Sequence, residues 1–291
     1  MKLCPACSCP IEGEAWVCSA CRWQAEAAEG IPLLGGGAPA EGEGYSTAFY
    51  ATLAEREAGH FWFIGRNRLL LWAFRRYAAG ARSFLEIGCG TGFVLQGLAG
   101  LDPGLALTGS ELFREGLAFA SRRVPGAAFV QLDARRLPYR DEFDAIGLFD
   151  VLEHIQEDQL VLDNVARACR PGGTVLVTVP QHPWLWTVVD ERACHVRRYR
   201  RGDLVAKLRR SGLKPVRACS FVSLLLPVLA LNRMLRQQRR EAFDLLQEFD
   251  LPSWKQRLLL AALDLERALI RAGVDLPMGG SLLVVARKPQ R

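Results

Sequence analysis

The chain has 291 residues, half of them hydrophobic and 23% charged, which supplies a substantial core and excludes a disordered chain. That length suits one large domain with a small appendage, since domains run at ~150 residues each. The formal charge of +6 is concentrated between Arg192 and Arg217, where ten basic residues face Asp203 alone and the rest of the chain sums to a small negative charge; this segment is open either to an anionic partner or to plain solvation.

The first thirty-four residues are dense in cysteine. Cys4-x-x-Cys7 and Cys18-x-x-Cys21 supply four thiolates from two knuckles, the pattern of a ribbon-type tetrahedral zinc site. The ten residues between the pairs are fewer than the ~15 to 20 the usual spacing has. Cysteines and prolines stand where an export signal would carry its apolar stretch, so a cytoplasmic protein is expected, and there an odd count of nine cysteines with four in two C-x-x-C pairs favours metal over a disulfide framework. A Gly/Pro/Ala/Glu linker over 35–44 has nothing to bury and marks a boundary, so residues 1–34 are expected as a zinc ribbon and 45–291 as the main domain.

Aromatic and Leu residues at helical spacing predict two helices over 45–80. After Gly80, short apolar runs alternate with helix-length stretches: Ser83 to Ile87, Leu105 to Gly109, Ala127 to Gln131, Phe143 to Phe149 and Thr174 to Val179. That rhythm predicts an α/β fold with a mainly parallel sheet covered on both faces. Lys214 to Cys219 and Ser281 to Arg287 make sixth and seventh strands, with a helical insertion over 221–278 between them. The longest nearly apolar run, Phe221 to Leu231, contains Ser223 and Pro227 and falls short of the ~20 residues of a membrane span. With the arginines that follow, Ser220 to Arg240 could instead lie on a membrane surface.

The most specific signal is the strand Phe84-Leu85-Glu86-Ile87 running into Gly88-Cys89-Gly90-Thr91-Gly92 and then a helix. Glycines let the main chain pass close under a ligand. A related glycine turn serves nicotinamide-dependent enzymes, but Glu86 beside it would repel a pyrophosphate and attract an ammonium group. Glu111 ends the second strand, about where an acid accepts hydrogen bonds from ribose hydroxyls, and Asp133 follows the third, placed for an adenine amine.

From about Phe61 to Pro180 these features, with Phe149-Asp150-Val151-Leu152-Glu153-His154 and Arg170-Pro171-Gly172-Gly173-Thr174, resemble the class I S-adenosylmethionine-dependent methyltransferases. The resemblance implies a Rossmann-like sheet of seven strands in the order 3-2-1-4-5-7-6, the last antiparallel, with the donor at the switch point. It also implies roles: Glu86, Gly88, Cys89, Gly90 and Gly92 near the methionine moiety, with Arg66 on its carboxylate, Glu111 and Leu112 on the ribose, Asp133 and Ala134 on the adenine, Phe149 and Asp150 beside the sulfonium. The helical stretch His60 to Arg76 is expected to lid the pocket.

Loops after the fourth and fifth strands face the methyl in this fold, which makes His195, His154 and Tyr199 the catalytic candidates, His195 as base. The setting of His195 resembles bacterial methyltransferases of glycan or lipid-linked substrates, with Arg197, Arg198 and Tyr199 holding an anionic group. The Glu153-His154 pair is also similar to one in ubiquinone-biosynthesis O-methyltransferases, where a divalent ion lies near this position, but Asp150 stands where that pattern has a Glu, and no metal is assigned there. The cysteine head resembles zinc ribbons of ribosomal-RNA guanine methyltransferases. Glu12, Glu14, Glu26 and Glu29 outnumber Lys2 and Arg22 in it, which opposes a phosphate backbone. The expected acceptor is therefore a small anionic or lipid/glycan-linked molecule. RNA methylation, a nicotinamide oxidoreductase and a cofactor-binding protein without turnover are the alternatives.

Overall fold

The computed structural model describes residues 1–35, 47–228, 230–231 and 251–290. Most of the expected linker and the middle of the expected insertion, including much of the arginine-rich segment read as a membrane-surface candidate, lie outside the described residues. Among those described, no helix is long and apolar enough to cross a membrane.

In chain order the elements are β1 (Lys2–Leu3), β2 (Pro10–Ile11), β3 (Glu26–Ala28), β4 (Ile31–Leu33), α1 (Thr47–Arg56), α2 (Phe61–Tyr77), β5 (Ser83–Ile87), α3 (Phe93–Leu101), β6 (Ala106–Glu111), α4 (Arg114–Arg123), β7 (Ala128–Gln131), β8 (Phe143–Phe149), α5 (Asp158–Ala168), β9 (Cys169–Pro180), α6 (Val188–Arg192), α7 (Arg201–Arg210), β10 (Lys214–Phe221), α8 (Ser253–Arg271) and β11 (Ser281–Arg287). The large sheet runs β10-β11-β9-β8-β5-β6-β7-β4-β3. Strands β7, β6, β5, β8 and β9 are parallel, and β11 lies antiparallel between β9 and β10. This is the expected order for seven strands, with the chain reversing direction of travel at β5.

The expected count of seven is corrected to nine. Leu33 bridges Gln131 in parallel register and the Leu34 N–H donates to the Gln131 carbonyl at 2.9 Å, so the β3–β4 hairpin of the cysteine head extends the sheet. Glu29 and Gly30, both at positive φ (52° and 79°), form the tight turn that suits a two-residue hairpin. The head is further tied down by Leu3 N–H to the Pro138 carbonyl at 2.9 Å, and by Trp16 edge-on to Tyr139 at 5.6 Å.

Strand residues alternate between two cores, as a side-chain period of two requires. Leu85, Ile87, Ile146, Leu148, Val175 and Val177 fill one face together with Cys4, Ile11, Trp16 and Cys18 of the head. Phe84, Ala145 and Leu176 fill the other, under α2, α3 and α8. α8 seats on α2 so closely that a Cβ at Gly65 would fall 2.6 Å from Leu263 Cδ1. The Phe61 N–H donates to Gln256 Oε1 at 2.8 Å across the same contact.

Candidate active site

At the carboxyl end of β5 the chain turns through Gly88 and Gly90, at φ +69° and +52°, conformations that cost an L side chain ~1–2 kcal/mol. The turn is pinned to β6: the Gly88 and Cys89 N–H groups donate to the Ser110 carbonyl at 2.8 and 3.0 Å. A Cβ on Gly88 would run into Val151, whereas one on Gly90 would meet nothing within 4 Å. The main chain at Gly90 therefore borders open space. Cys89 is buried in the floor of the turn, and that burial pushes its thiol far up.

Three acids lie buried around this turn: Glu57, Glu86 and Glu111. Glu111 accepts the main-chain N–H groups of Gly90, Leu112 and Phe113 at 3.0, 2.8 and 3.3 Å. Burial raises its pKa while those N–H groups oppose the rise. Glu86 has one carboxylate oxygen buried without a hydrogen-bond partner. Its burial moves the pKa to about 8, against the pull of Arg66 and with the push of Glu111. Glu57 accepts from Thr91 Oγ1 at 2.6 Å and pairs with Arg123, and Arg123 also donates to the Thr91 carbonyl at 3.0 Å. These contacts latch the residues after α1 onto the glycine turn. Neither Glu57 nor Arg123 was singled out from sequence, because no local pattern links residues sixty-odd positions apart.

The other expected donor contacts are placed with different partners. Asp133 is buried, but both of its oxygens receive Arg135 Nε, at 3.0 and 2.9 Å, and it caps the following turn through the Arg135 N–H. Ala134 is buried beside it, and Leu112 borders Glu111. Asp150 stands at φ +59° and pairs with Arg66 at 2.6 Å, while Arg66 also donates to the Phe149 carbonyl at 2.7 Å. Arg66, expected on the donor's carboxylate, here holds Asp150 instead.

Beyond β8 the chain forms one turn, Leu152–His154, and the loop around His195 is stitched to it by the Val196 N–H donating to the Glu153 carbonyl at 2.7 Å. His154 and His195 are thereby brought together, ring centroids 4.8 Å apart and edge to face. His195 Nδ1 lies 3.0 Å from Asp190 Oδ1. Asp190 is fully buried and accepts Arg198 Nε at 2.6 Å and the Thr187 N–H at 2.9 Å. Burial, with the neighbouring His195, lowers the His154 pKa to about 4, so its ring is neutral.

Tyr199 does not join this pair. Its hydroxyl is buried, donates to Asp158 Oδ2 at 2.8 Å, and burial with that carboxylate beside it raises its pKa far above the ordinary value. Arg197 pairs with Asp158 at 2.9 Å and Arg198 with Asp190. The expected anion clamp of Arg197, Arg198 and Tyr199 is therefore corrected: two buried aspartates consume it. A cavity of about 460 Å³ at the end of β9 is lined instead by His182, Trp184, Arg200 and Arg201. Adjacent arginines in a run of basic residues carry no signal of which ones are internally paired, which is why the sequence pointed to the wrong two.

In the head, Cys4 Sγ lies 3.6 Å from Cys21 Sγ and Cys7 Sγ 3.6 Å from Cys18 Sγ, and all four sulfurs fall within 4.8 Å of one another. Tetrahedral zinc with Zn–S bonds of ~2.3 Å requires sulfurs about 3.8 Å apart, so the four thiols fit that ion.

The fold and the glycine turn define a class: the architecture is that of Rossmann-like methyltransferases. Residues 85–177 match the family model described as a methyltransferase domain. The chain is 35% identical over 119 residues to the fatty-acid O-methyltransferase of Mycolicibacterium smegmatis, across 38% of this chain and 43% of that protein. It is 35% identical over 107 residues to the phosphatidylethanolamine N-methyltransferase of Cereibacter sphaeroides, across 34% and 51%. The chain thus spans about half the length of the curated relatives it matches. A chain from the complex between the Haloferax volcanii Trm112 methyltransferase activator and a methyltransferase superposes with a TM-score of 0.56 at 18% identity, across 84% of this chain and 95% of that one, a likeness of fold.

Proposed function

We infer that this protein is an S-adenosylmethionine-dependent methyltransferase acting on an O or N nucleophile of a small acceptor that carries an anionic group, lipid- or glycan-linked. The observation that carries the reading is the open glycine turn ringed by buried acids within the matched methyltransferase domain. A buried carboxylate with an orphan oxygen, as at Glu86, is costly unless a donor group meets it. The ammonium of the methionine moiety is such a group, and a dinucleotide pyrophosphate is not.

Bound there, the donor supplies an already activated sulfonium methyl. The chain's task is alignment and exclusion of water. Gly88, Gly90 and Gly92 with Cys89 let the main chain approach, Glu111 and Leu112 take the ribose side, and Asp133 with Ala134 takes the adenine edge once Arg135 yields a contact. Phe149 and Asp150 flank the reacting end, and the latch of Glu57, Thr91 and Arg123 closes the roof. Where the acceptor must lose a proton, the His154–His195 pair stands nearest in the chain to the loops that face the methyl.

For the acceptor, the cavity beside Trp184 offers two arginines for an acidic group. The named substrates of the two relatives, a fatty acid and phosphatidylethanolamine, each join an acidic group to apolar chains. RNA is the weaker reading: of the ten basic residues between Arg192 and Arg217, Arg197, Arg198, Lys207 and Arg217 are held in ion pairs, which reduces the charge left for phosphates. The four head thiols support a structural zinc, and nine unpaired cysteines support a reducing, cytoplasmic location. Titration calorimetry with S-adenosylmethionine and with NAD(H) tests the core of this reading, and mass spectrometry of extract incubated with labelled donor identifies the acceptor. Heat from NAD(H) with none from S-adenosylmethionine would overturn it.

A further inference from the structure

Among the described residues, α8 buries only one of its faces. Leu263 sits against Gly65 of α2, and Glu266 and Ile270 are buried on the same side. The opposite face is a stripe of Trp254, Leu258, Ala261, Leu265, Ala268 and, at the helix end, Ala272. Steps of four, three, four, three and four residues put these side chains on one line along the helix. All six are exposed, and the three large ones, Trp254, Leu258 and Leu265, are 59, 63 and 58% exposed. Single exposed apolar residues are ordinary, whereas a continuous apolar line marks a binding face.

The charges flanking the stripe are basic. Lys255, Arg257 and Arg271 are exposed beside it, and Lys255 lies over the Trp254 ring at 5.5 Å. The acids of this region are engaged elsewhere. Asp264 pairs with Arg68 and Arg267, Asp275 pairs with Arg217, and buried Glu266 accepts the Ser223 and Leu224 N–H groups. A second copy of this chain is therefore a poor occupant. Antiparallel pairing about the middle of the stripe, with Ala261 against Leu265, sets Lys255 opposite Arg271; parallel pairing sets each basic residue against its own copy. The same three charges attract an anionic surface. Trp and Leu along one line with Lys and Arg at its flanks is the composition of helices that lie in a membrane interface.

We propose that α8 docks this protein on an anionic lipid bilayer, with Trp254, Leu258 and Leu265 entering the interface and Lys255, Arg257 and Arg271 meeting the lipid phosphates. This helix is a different stretch from Ser220 to Arg240, the surface candidate of the sequence. The apolar face continues toward the acceptor cavity. Beyond α8, Val274 and Met278 are exposed, the Leu276 carbonyl accepts from Arg201 at 3.5 Å, and Pro277 lines the cavity together with Trp184, which is itself exposed. Docking along this line sets the cavity at the edge of the lipid surface, where a lipid-linked acceptor presents its anionic group to Arg200 and Arg201. That consequence rests on the methyltransferase reading, whereas docking itself does not.

Co-sedimentation of the full chain with vesicles of phosphatidylcholine alone, and of phosphatidylcholine mixed with phosphatidylglycerol, tests the face. Binding is expected to the anionic vesicles and should weaken as salt rises. Each basic residue at an anionic surface strengthens binding about fivefold, so the triple variant Lys255→Gln/Arg257→Gln/Arg271→Gln should bind about 100-fold more weakly. Leu258→Glu/Leu265→Glu removes the apolar contact and adds repulsion, and should lose at least about as much; its Tm should stay unchanged, because both side chains already face solvent. Absence of binding to anionic vesicles, or wild-type affinity in either variant, overturns the proposal. So does a dimer of the wild-type chain in sedimentation velocity that Leu258→Glu/Leu265→Glu dissolves. Calorimetry with S-adenosylmethionine on the same samples keeps the two readings apart: both variants should bind the donor as the wild type does, and a chain that docks on vesicles yet takes no donor would leave docking standing and remove the methyltransferase reading.

Discussion

Gly90→Ala separates ligand contact from backbone strain. At φ +52° an alanine sits in the left-handed region at a cost of about 1 kcal/mol. Its methyl meets nothing within 4 Å, so no clash adds to that cost, and the Tm should fall by only about 2–4 °C. If the donor packs on this turn, the same methyl occupies the donor's space. Forcing one methyl into a fitted contact costs about 1–3 kcal/mol, which at 1.4 kcal/mol per tenfold is roughly a 5- to 150-fold loss of affinity. Gly80 supplies the control: it too has positive φ, +82°, and open surroundings, but it lies between α2 and β5, away from the turn. Gly80→Ala should match the thermal shift and leave donor affinity unchanged. Calorimetry with S-adenosylmethionine and thermal melts of both variants decide the matter. Equal donor affinity in wild type, Gly80→Ala and Gly90→Ala would show that the donor does not pack there.

Glu111→Ala removes the acceptor of three main-chain N–H groups and should cost about 2–4 kcal/mol of stability together with most donor affinity; a destabilised variant that binds the donor normally would remove Glu111 from the ribose side. Metal analysis of protein purified without added zinc should find about one ion per chain in the thiol site, and because the head shares the main core, chelation should lower the Tm of the whole domain and not of the head alone. A separate, lower transition for the head would contradict the shared sheet. Burial raises the Asp158 pKa, but hydrogen bonds from Lys207 and Tyr199 and the charge of Arg197 outweigh it and hold the carboxyl below its ordinary value. A depressed carboxyl stabilises the fold above its unfolded pKa of about 4, and this contribution is lost as pH falls through the folded value. Asp158→Asn should therefore lower stability at pH 7 by about 3 kcal/mol and flatten its decline below pH 4, measured by urea unfolding across pH; an unchanged acid limb would show that Asp158 does not govern it.

What the sequence by itself determined is everything that is local or periodic. The alternation of apolar runs and helix-length stretches specified the parallel order, since a buried strand and its crossover helix are each written in contiguous residues. The glycine turn, Glu86, Glu111 and the two cysteine knuckles were legible for the same reason: their spacing is their geometry. Tertiary structure alone decided the pairings between distant residues. The β3–β4 hairpin became part of the large sheet because the edge of β7 offered it unpaired main-chain groups, a fact about an edge that no strand's own sequence records. Arg197, Arg198 and Tyr199 look like an anion clamp in a row, yet Asp158 and Asp190, buried beneath them, neutralise them. Along the chain His195 looks like a lone base, and only folding sets it against His154 and the orphan carboxylate of Glu153. A buried charge is satisfied by whatever the fold carries to it, and the identity of that partner is settled by three-dimensional proximity, which a linear pattern does not encode.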